Sequence, residues 1–199
     1  MMKPKSLLAL LSLFLLSGCS IKETALKPYN YALEPMVKLE RFSEPNADVL
    51  KISHIDAPSG LNTRAILYKK AGAMQPYKYG TWSEIPSVKL QHLITEALQD
   101  QNHYASVISG TSMASNNLIL ESTLQHFEEI FQENGSSYAH VSLRFRLIEL
   151  KSGDVLGSVR LGSKKEVTNT NGAMGSVEAF NAATFEVIKS LSIWINAVR

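Results

Sequence analysis

The stretch that decides the fold is residues 118–161, LILESTLQHFEEIFQENGSSYAHVSLRFRLIELKSGDVLGSVRL. Apolar and polar residues alternate along much of it, which is the period of a strand with one buried face. Two turn signals interrupt the alternation, Asn134-Gly135-Ser136 and Lys151-Ser152-Gly153-Asp154. The stretch therefore predicts a meander of three antiparallel strands, which cover residues 118–133, 138–150 and 155–161.

Segments in which apolar residues recur with the period of a helix precede and follow this meander in the sequence. From Pro86 onward, apolar residues recur at steps of three and four, which predicts a helix that ends near Gln101 or Asn102 and is capped by Ser83. After a flexible segment at 168–175, the same period runs from Val177 to Val198. Its spacing permits a coiled coil, but a helix docked on a sheet is the favoured interpretation.

Shorter strands are predicted upstream, at residues 29–33, 49–55, 65–68, 77–82 and 104–108. The sequence thus predicts one α+β domain over residues 29–199. Its sheet is expected to be mostly antiparallel, with a long β-meander and two amphipathic helices packed on it.

Composition narrows the class of protein. The chain has 199 residues, of which 45% are hydrophobic and 19% charged, as in an ordinary globular protein. Lys and Arg number 20 against 18 Asp and Glu, an excess too small to neutralise a row of nucleic-acid phosphates. Cys19 is the only cysteine, so neither an intrachain disulfide nor a cysteine-based zinc cluster can form.

The N-terminus predicts export. Lys3 and Lys5 precede an apolar run of ten residues, 7–16, and small residues follow, which is the layout of a signal peptide over residues 1–18. As a helix this run would be about 15 Å long, half of the ~30 Å hydrocarbon core of a bilayer. The run is therefore too short to anchor the chain by spanning a membrane.

Leu16-Ser17-Gly18-Cys19 resembles the lipobox of bacterial lipoproteins. The resemblance implies cleavage between Gly18 and Cys19, a diacylglycerol on the Cys19 sulfur and acylation of the new amine. Ser20, where an acidic residue often signals retention at the inner membrane, implies the outer membrane and its periplasmic face. Residues 19–28 would then form a tether that spans at most ~35 Å when fully extended.

Residues with catalytic or metal-binding chemistry do not assemble into a motif. His54, His92, His103, His126 and His140 include no pair at H-E-x-x-H or H-x-H spacing. His54 and His126, with neighbouring acids, could form a ligand set only through the fold. The sequence therefore predicts no catalytic residue, no metal and no cofactor.

Three further segments resemble catalytic or ligand-binding motifs, but each fails to meet the requirements of its motif. Residues 110–114, GTSMA, lack the second glycine of a nucleophile elbow and predict a loop. Glu128 and Glu129 are adjacent in a strand, so they point to opposite faces and cannot flank one bond. Residues 172–175, GAMG, lack the lysine and frame of a phosphate loop and predict a helix-capping loop.

An aromatic cluster is the main candidate for partner contact. It comprises Tyr68, Tyr77, Tyr79 and Trp82, and such rings either bury a partner or cap the sheet. Strand alternation separates Tyr79 from Trp82 unless a bulge forms at Gly80. We expect a sheet edge here to which a partner strand can add, with Tyr79 facing the partner and Trp82 structural.

The order of features resembles the PqiC-like family, the auxiliary lipoprotein component of ABC-type transport systems. The matching segments after the lipobox are Tyr31-Ala32-Leu33, Ile55-Asp56-Ala57-Pro58, Leu61 to Tyr68 (LNTRAILY) and Tyr79 to Pro86 (YGTWSEIP), with residues 118–127, the turn at 147–153 and the last helix through Trp194. This resemblance extends over nearly the whole predicted mature chain.

The resemblance implies a non-enzymatic periplasmic subunit, anchored in the outer membrane by lipid. Its expected partners are MCE-type or ABC transporter subunits, its expected cargo is lipid or another apolar molecule, and a homo-oligomer is compatible with this role. The candidate partner-binding residues are Arg64, Tyr68, Tyr79 and Trp82. A lipoprotein adaptor that activates a periplasmic enzyme such as a cell-wall synthase would share the anchor and fold. A secreted hydrolase would need an activated nucleophile, which the sequence does not offer.

Overall fold

The computed structural model describes residues 29–169 and 172–198. The predicted signal peptide, Cys19 and the tether lie outside the described residues. The described residues form eight strands: β1 (Tyr29–Tyr31), β2 (Val49–Asp56), β3 (Ala65–Lys70), β4 (Ala73–Trp82), β5 (Ser106–Ser109), β6 (Leu118–Phe131), β7 (Ser137–Glu149) and β8 (Val155–Glu166). The two described helices are α1 (Pro86–Gln101) and α2 (Ala173–Val198).

The predicted meander is confirmed. β6, β7 and β8 pair in sequence order, and both pairings are antiparallel. One face of β7 is fully buried, including Val141, Leu143 and Phe145, whereas the alternating Arg144 and Arg146 are exposed. The third strand continues beyond the predicted Leu161 to Glu166.

The expectation of a mostly antiparallel sheet is wrong, because the sheet is mixed. Among the described strands, four pairings are parallel, β1 with β4, β2 with β5, β2 with β6 and β3 with β6. Three are antiparallel, β3 with β4, β6 with β7 and β7 with β8. The parallel pairings join segments far apart in the chain, which local turn signals do not reveal.

The central strand β6 has two partners on one of its edges. Its first half pairs with β2, from Leu50↔Leu118 to Asp56↔Thr123. Its second half pairs with β3, at Tyr68↔Glu129 and Lys69↔Ile130. β2 and β3 therefore follow one another along the same edge, and the chain between them, residues 57–64, leaves the sheet and returns.

Helix α1 has the predicted bounds, but its cap differs from the prediction. Ile85 is the N-cap residue and makes no side-chain capping hydrogen bond, so the assignment of Ser83 was wrong. Pro86 supplies the fixed backbone angle that favours a first helical position. The helix ends at Gln101, and the C-cap residue Asn102 adopts the left-handed conformation.

Helix α2 begins earlier than predicted. Residues 173–175 form its first turn, so the expectation of a flexible segment over 168–175 and of a capping loop over 172–175 is wrong for these three residues. The helix packs against β8, β7 and β4, which confirms docking on a sheet. Gln101 of α1 donates a hydrogen bond to Ser192 of α2 at 2.8 Å, so both helices cover the same face. Neither described helix combines the length and apolarity needed to cross a membrane.

Candidate functional site

An apolar groove lies where β1, the last part of β4 and the first turn of α2 meet. We call it the tyrosine groove. Its volume is about 540 Å³, and it is lined by Tyr29, Tyr31, Tyr77, Lys78, Tyr79, Gly172, Ala173 and Met174. Tyr29, Tyr79 and Met174 are 71%, 46% and 50% exposed, respectively. Three large apolar surfaces are thus accessible to solvent around a single concavity.

An irregularity in β4 shapes this groove. Between Ala65↔Thr81 and Leu67↔Pro76, two steps along β3 correspond to five along β4, so the β4 backbone bulges between residues 76 and 81. This irregular segment includes Gly80, the position at which sequence alternation allowed a bulge. At Gly80 itself, an added Cβ would lie 2.5 Å from the Cβ of Ala173. Only glycine lets the strand approach the helix this closely.

Trp82 supports the groove from within the core. Its side chain is 1% exposed. Its ring makes edge contacts with Phe127 at 5.6 Å and with Phe180 of α2 at 5.4 Å. This burial agrees with the expectation that Trp82 is structural, and it removes the indole from the residues that can touch a partner directly.

A buried carboxyl group fixes the inner wall of the groove. Glu129 is 1% exposed, and its Oε2 accepts hydrogen bonds from the hydroxyls of Tyr77, at 2.5 Å, and Ser176. Its Oε1 accepts one from Ser137 at 2.5 Å. Burial and the hydrogen bond to Glu129 raise the pKa of Tyr77, which keeps its hydroxyl protonated as the donor. The Glu129 cluster thus joins β4, β6, β7 and α2.

The other predicted contact residues occupy different environments. Arg64 is exposed, and its guanidinium donates to the Trp82 carbonyl at 2.9 Å and to Asn30 of β1 at 3.3 Å. The hydroxyl of Tyr68 donates to Gln75 at 2.6 Å, and its ring contacts Tyr77 at 5.0 Å. Arg64 therefore helps to hold β1 in place, whereas Tyr68 lies on the far side of Tyr77.

The predicted open edge at residues 79–82 needs correction. β1 pairs in parallel with β4 over Tyr29↔Gly80, Asn30↔Thr81 and Tyr31↔Trp82. A partner strand cannot add to β4 at these residues, because β1 already occupies that position. Tyr79 stands just outside the pairing and remains exposed.

The fold assembles a histidine pair that no sequence motif indicated. His126 and His140 stack with ring centroids 4.2 Å apart, and the Nδ1 of His126 lies 2.7 Å from Glu128. These three side chains are close enough to suggest a metal site. The two rings are only 17° from parallel, however, so their in-plane lone pairs do not converge on one point. We interpret the group as a hydrogen-bonded stack.

Other sequence predictions agree with the geometry. Residues 110–114 lie outside regular secondary structure after β5, as expected of a loop. Glu128 bonds His126 and the backbone amide of Phe127, whereas Glu129 bonds the separate set described above. The two carboxyl groups thus face opposite sides of β6. His54 contacts Gln91 at 3.0 Å, and among the described residues the side chains that cluster as possible metal ligands are His126, Glu128 and His140, so His54 does not join His126 in a ligand set.

Sequence reasoning missed several residues that build the groove. Tyr29, Tyr31 and Met174 belong to separate, short segments whose proximity depends on the parallel pairing of β1 and on the early start of α2. The partners of Glu129 were also missed, since Ser176 is 47 residues away in the chain. The concentration of tyrosines near residues 29–31 and 77–79 was the one available signal.

Comparisons with known proteins identify relatives of most of the described domain. A family model described as ABC-type transport auxiliary lipoprotein component matches residues 31–191. Protein XCC0632 from Xanthomonas campestris, a DUF330 family member, is 18% identical over 85% of this chain and 95% of its own, with a TM-score of 0.76.

A second solved structure extends the likeness. Hypothetical protein CT253 from Chlamydia trachomatis is 6% identical over 77% of this chain and 98% of its own, with a TM-score of 0.53. At these identities the structural likeness shows a shared fold alone. No curated protein matches the sequence.

Proposed function

Because the chain belongs to the family of ABC-type transport auxiliary lipoprotein components, we propose that it is a lipid-anchored, non-enzymatic subunit of an intermembrane transport system. It acts on the periplasmic face of the outer membrane, beside an ABC or MCE-type machine that moves lipids or other apolar cargo. The family match over residues 31–191 carries this proposal.

The lipobox-like segment supports the anchor and its position. Cys19 is the acceptor for the lipid, and Tyr29 of β1 is the tenth residue after it. An extended tether of this length spans at most ~35 Å. The tyrosine groove, which begins at Tyr29, is therefore held close to the membrane surface.

The environments of the two buried glutamates, Glu128 and Glu129, support a non-enzymatic role. Glu129 is 1% exposed and accepts hydrogen bonds from three hydroxyl groups, those of Tyr77, Ser137 and Ser176. Glu128 is 3% exposed and bonds His126 and a backbone amide. Groups held in this way stabilise packing between strands and a helix, and they are not placed for proton transfer to a bound substrate.

Partner contact is assigned to the exposed surface around Tyr79. The ring is 46% exposed, the ammonium group of Lys78 lies 5.1 Å from its centroid, and exposed Arg64 directly precedes β3, the antiparallel neighbour of β4. Aromatic and arginine side chains at such positions often dominate binding energy between proteins. Trp82 contributes indirectly, by supporting this surface.

Site-specific crosslinking in living cells tests the partner. A photoreactive amino acid replaces Tyr79 in the full-length lipoprotein, and a matched probe replaces Met113, which is 99% exposed in a distant loop. We expect the probe at position 79, and not at 113, to form a covalent adduct with a transporter subunit. A cell-wall synthase captured at position 79 instead would contradict the proposal and favour the adaptor hypothesis.

A second experiment tests the anchor. Cys19→Ala removes the only thiol, so the variant should lose incorporation of a palmitate analogue and leave the precursor unprocessed. Labelling of the variant at the wild-type level would exclude the lipoprotein assignment. The wild-type chain, labelled in parallel, is the control for expression and export.

A further inference from the structure

We propose that the tyrosine groove binds one acyl chain of a phospholipid, with the phosphate group of that lipid beside Lys78. The inference rests on the proposed function, because it makes the lipid a transport cargo that the auxiliary subunit contacts directly. It names a binding site and a ligand class for the apolar surface described above.

The chemistry of the lining favours a hydrocarbon chain. The hydroxyl of Tyr77 is turned away to Glu129, so its ring presents carbon atoms to the groove. Ala173 and Met174 add further aliphatic surface. A peptide laid between these side chains would leave backbone N–H and C=O groups without partners, at a cost in free energy. An acyl chain has no such groups.

The size and shape of the space also suit an elongated ligand. The groove volume of about 540 Å³ lies within the range of small-molecule sites, roughly 300–1,000 Å³. A neighbouring cavity of about 520 Å³ shares Tyr77 and Gly172 with the groove. A third, of about 330 Å³, shares Tyr77 and Lys78. Two further concavities thus adjoin the groove at Tyr77, and the larger one is lined mostly by polar residues, including Glu129, Ser137 and Glu166.

Lys78 is the one cationic side chain among the described residues that line the groove. Lys78 is exposed and lines the groove, with its ammonium group 5.1 Å from the ring centroid of Tyr79. An ammonium group beside an apolar space is complementary to a phosphate whose acyl chain enters that space. The arrangement therefore favours a phospholipid over an uncharged hydrocarbon.

The tether adds a geometric argument for a membrane lipid. β1 forms one wall of the groove, and only residues 20–28 separate it from Cys19. A lipid that leaves the bilayer next to the anchor would need to travel only a short distance to reach the groove. The acyl chains on Cys19 itself must stay in the membrane to hold the protein there, so we commit to a free phospholipid as the occupant.

Photolabelling in vesicles tests the site. The full-length mature lipoprotein is reconstituted in vesicles of phosphatidylethanolamine and phosphatidylglycerol, in which part of the phosphatidylglycerol carries a diazirine on one acyl chain. After illumination, peptides are mapped by mass spectrometry. We expect label on the peptides that contain Tyr79 or Met174. Label confined to other surfaces would overturn the proposal.

A charge placed in the groove supplies the matched comparison. Met174→Glu puts a carboxylate in the apolar lining and should lower groove labelling by at least about tenfold. The first turn of a helix tolerates an acidic residue, so α2 should remain folded. Met113→Glu, the same change in an exposed loop, should label like wild type. Equal labelling of both variants would contradict the site.

Two further comparisons distinguish a free phospholipid from the acyl chains of Cys19 as the occupant, and the groove site from the proposed transport function. The Cys19→Ala chain, incubated with the same vesicles, should still be labelled by the free phospholipid. Label that appears only when the diazirine is carried by the acyl chains of Cys19 would overturn the choice of occupant. Groove labelling without a transporter adduct in cells would refute the proposed function alone, and the reverse result would refute the groove site alone.

Lys78→Gln should reduce labelling by phosphatidylglycerol, and unchanged labelling would exclude a phosphate contact at Lys78.

Discussion

The meander and the groove end of the sheet are built in opposite ways. β6 and β7 pair from Leu118↔Glu149 to Phe131↔Ser137 with a single irregularity. At the groove end, β1 has three residues, and β4 bulges between 76 and 81 before it meets α2. One region repeats a regular pattern over its whole length, and the other depends on a few specific contacts.

This difference shows how the domain can display apolar rings without losing its fold. The regular strands carry much of the continuous core, including Leu124, Leu143 and Phe145, all 0% exposed. The irregular end leaves Tyr29 and Tyr79 in solvent but fixes their backbone through the buried Trp82 and the Glu129 cluster. We therefore expect substitutions at Trp82 or in the contacts that hold β4 against α2 to lower stability strongly. Substitutions at the exposed Tyr29 and Tyr79 should change stability little.

The largest effect is expected from Trp82→Ala. Removal of this ring leaves a cavity against Phe127 and Phe180 and should lower the free energy of unfolding by about 3–5 kcal/mol. Thermal or denaturant unfolding measures the change. Tyr79→Ala is the control, because loss of an exposed ring should alter stability by no more than about 0.5 kcal/mol. Similar losses in both variants would show that the two rings do not differ in role.

A smaller effect is expected from Gly80→Ala, which tests the close contact between β4 and α2. The added methyl group meets the Cβ of Ala173 at 2.5 Å, so the first turn of α2 must shift. We expect a loss of about 1–3 kcal/mol in stability, together with weaker phospholipid labelling of the groove. Gly60→Ala has open space around its Cβ and serves as the control. An unchanged melting temperature for Gly80→Ala would mean that the contact is not tight.

The smallest effect is expected in the pH dependence of stability, and it concerns His140 of β7 in the meander. Burial, followed by the nearby His126 and Lys164, lowers the pKa of His140 to about 4. Between about pH 6.5 and pH 4, the unfolded chain therefore binds a proton that the folded chain resists, so stability falls as pH falls through this window. His140→Gln should make the decline in melting temperature shallower.

Lys164→Gln tests the lowered pKa of His140 in a second way, by removing one of its smaller causes. Removal of its charge should raise the pKa of His140 and also make the decline shallower, by less than His140→Gln does. Glu128, which bonds the facing His126, is kept intact in both variants. A wild-type slope in His140→Gln would show that another group controls acid stability.

The local elements could be predicted from the sequence, and the long-range pairings could not. Gly135 and Gly153 have positive φ angles in the two predicted turns of the meander, where glycine is favoured. The apolar period from Pro86 similarly fixed the bounds of α1. The parallel partners of β2 and β3 lie in β6, far along the chain, and alternation alone does not identify a partner strand.

The candidate site was predictable to a similar extent. The tyrosines near residue 79 were visible as a cluster, whereas alternation placed Tyr79 and Trp82 on opposite faces without deciding which of the two rings is buried. The wall formed by Met174 was hidden, because 168–175 is polar and glycine-rich and predicts a loop. Neither did composition reveal that Glu129 would be buried, since an acidic residue is rarely found inside a protein unless it is paired.

The shared edge of β6 has a consequence for the order of folding. β2 and β3 cannot complete their pairings until residues 118–131 have been synthesised, because that strand supplies the edge along which both align. Contacts between segments so distant in sequence form slowly. For a chain whose first residues predict export, we expect the N-terminal half to complete its folding late, because its central strand is missing until β6 has been made, and an incompletely folded chain passes more readily through a narrow translocation channel.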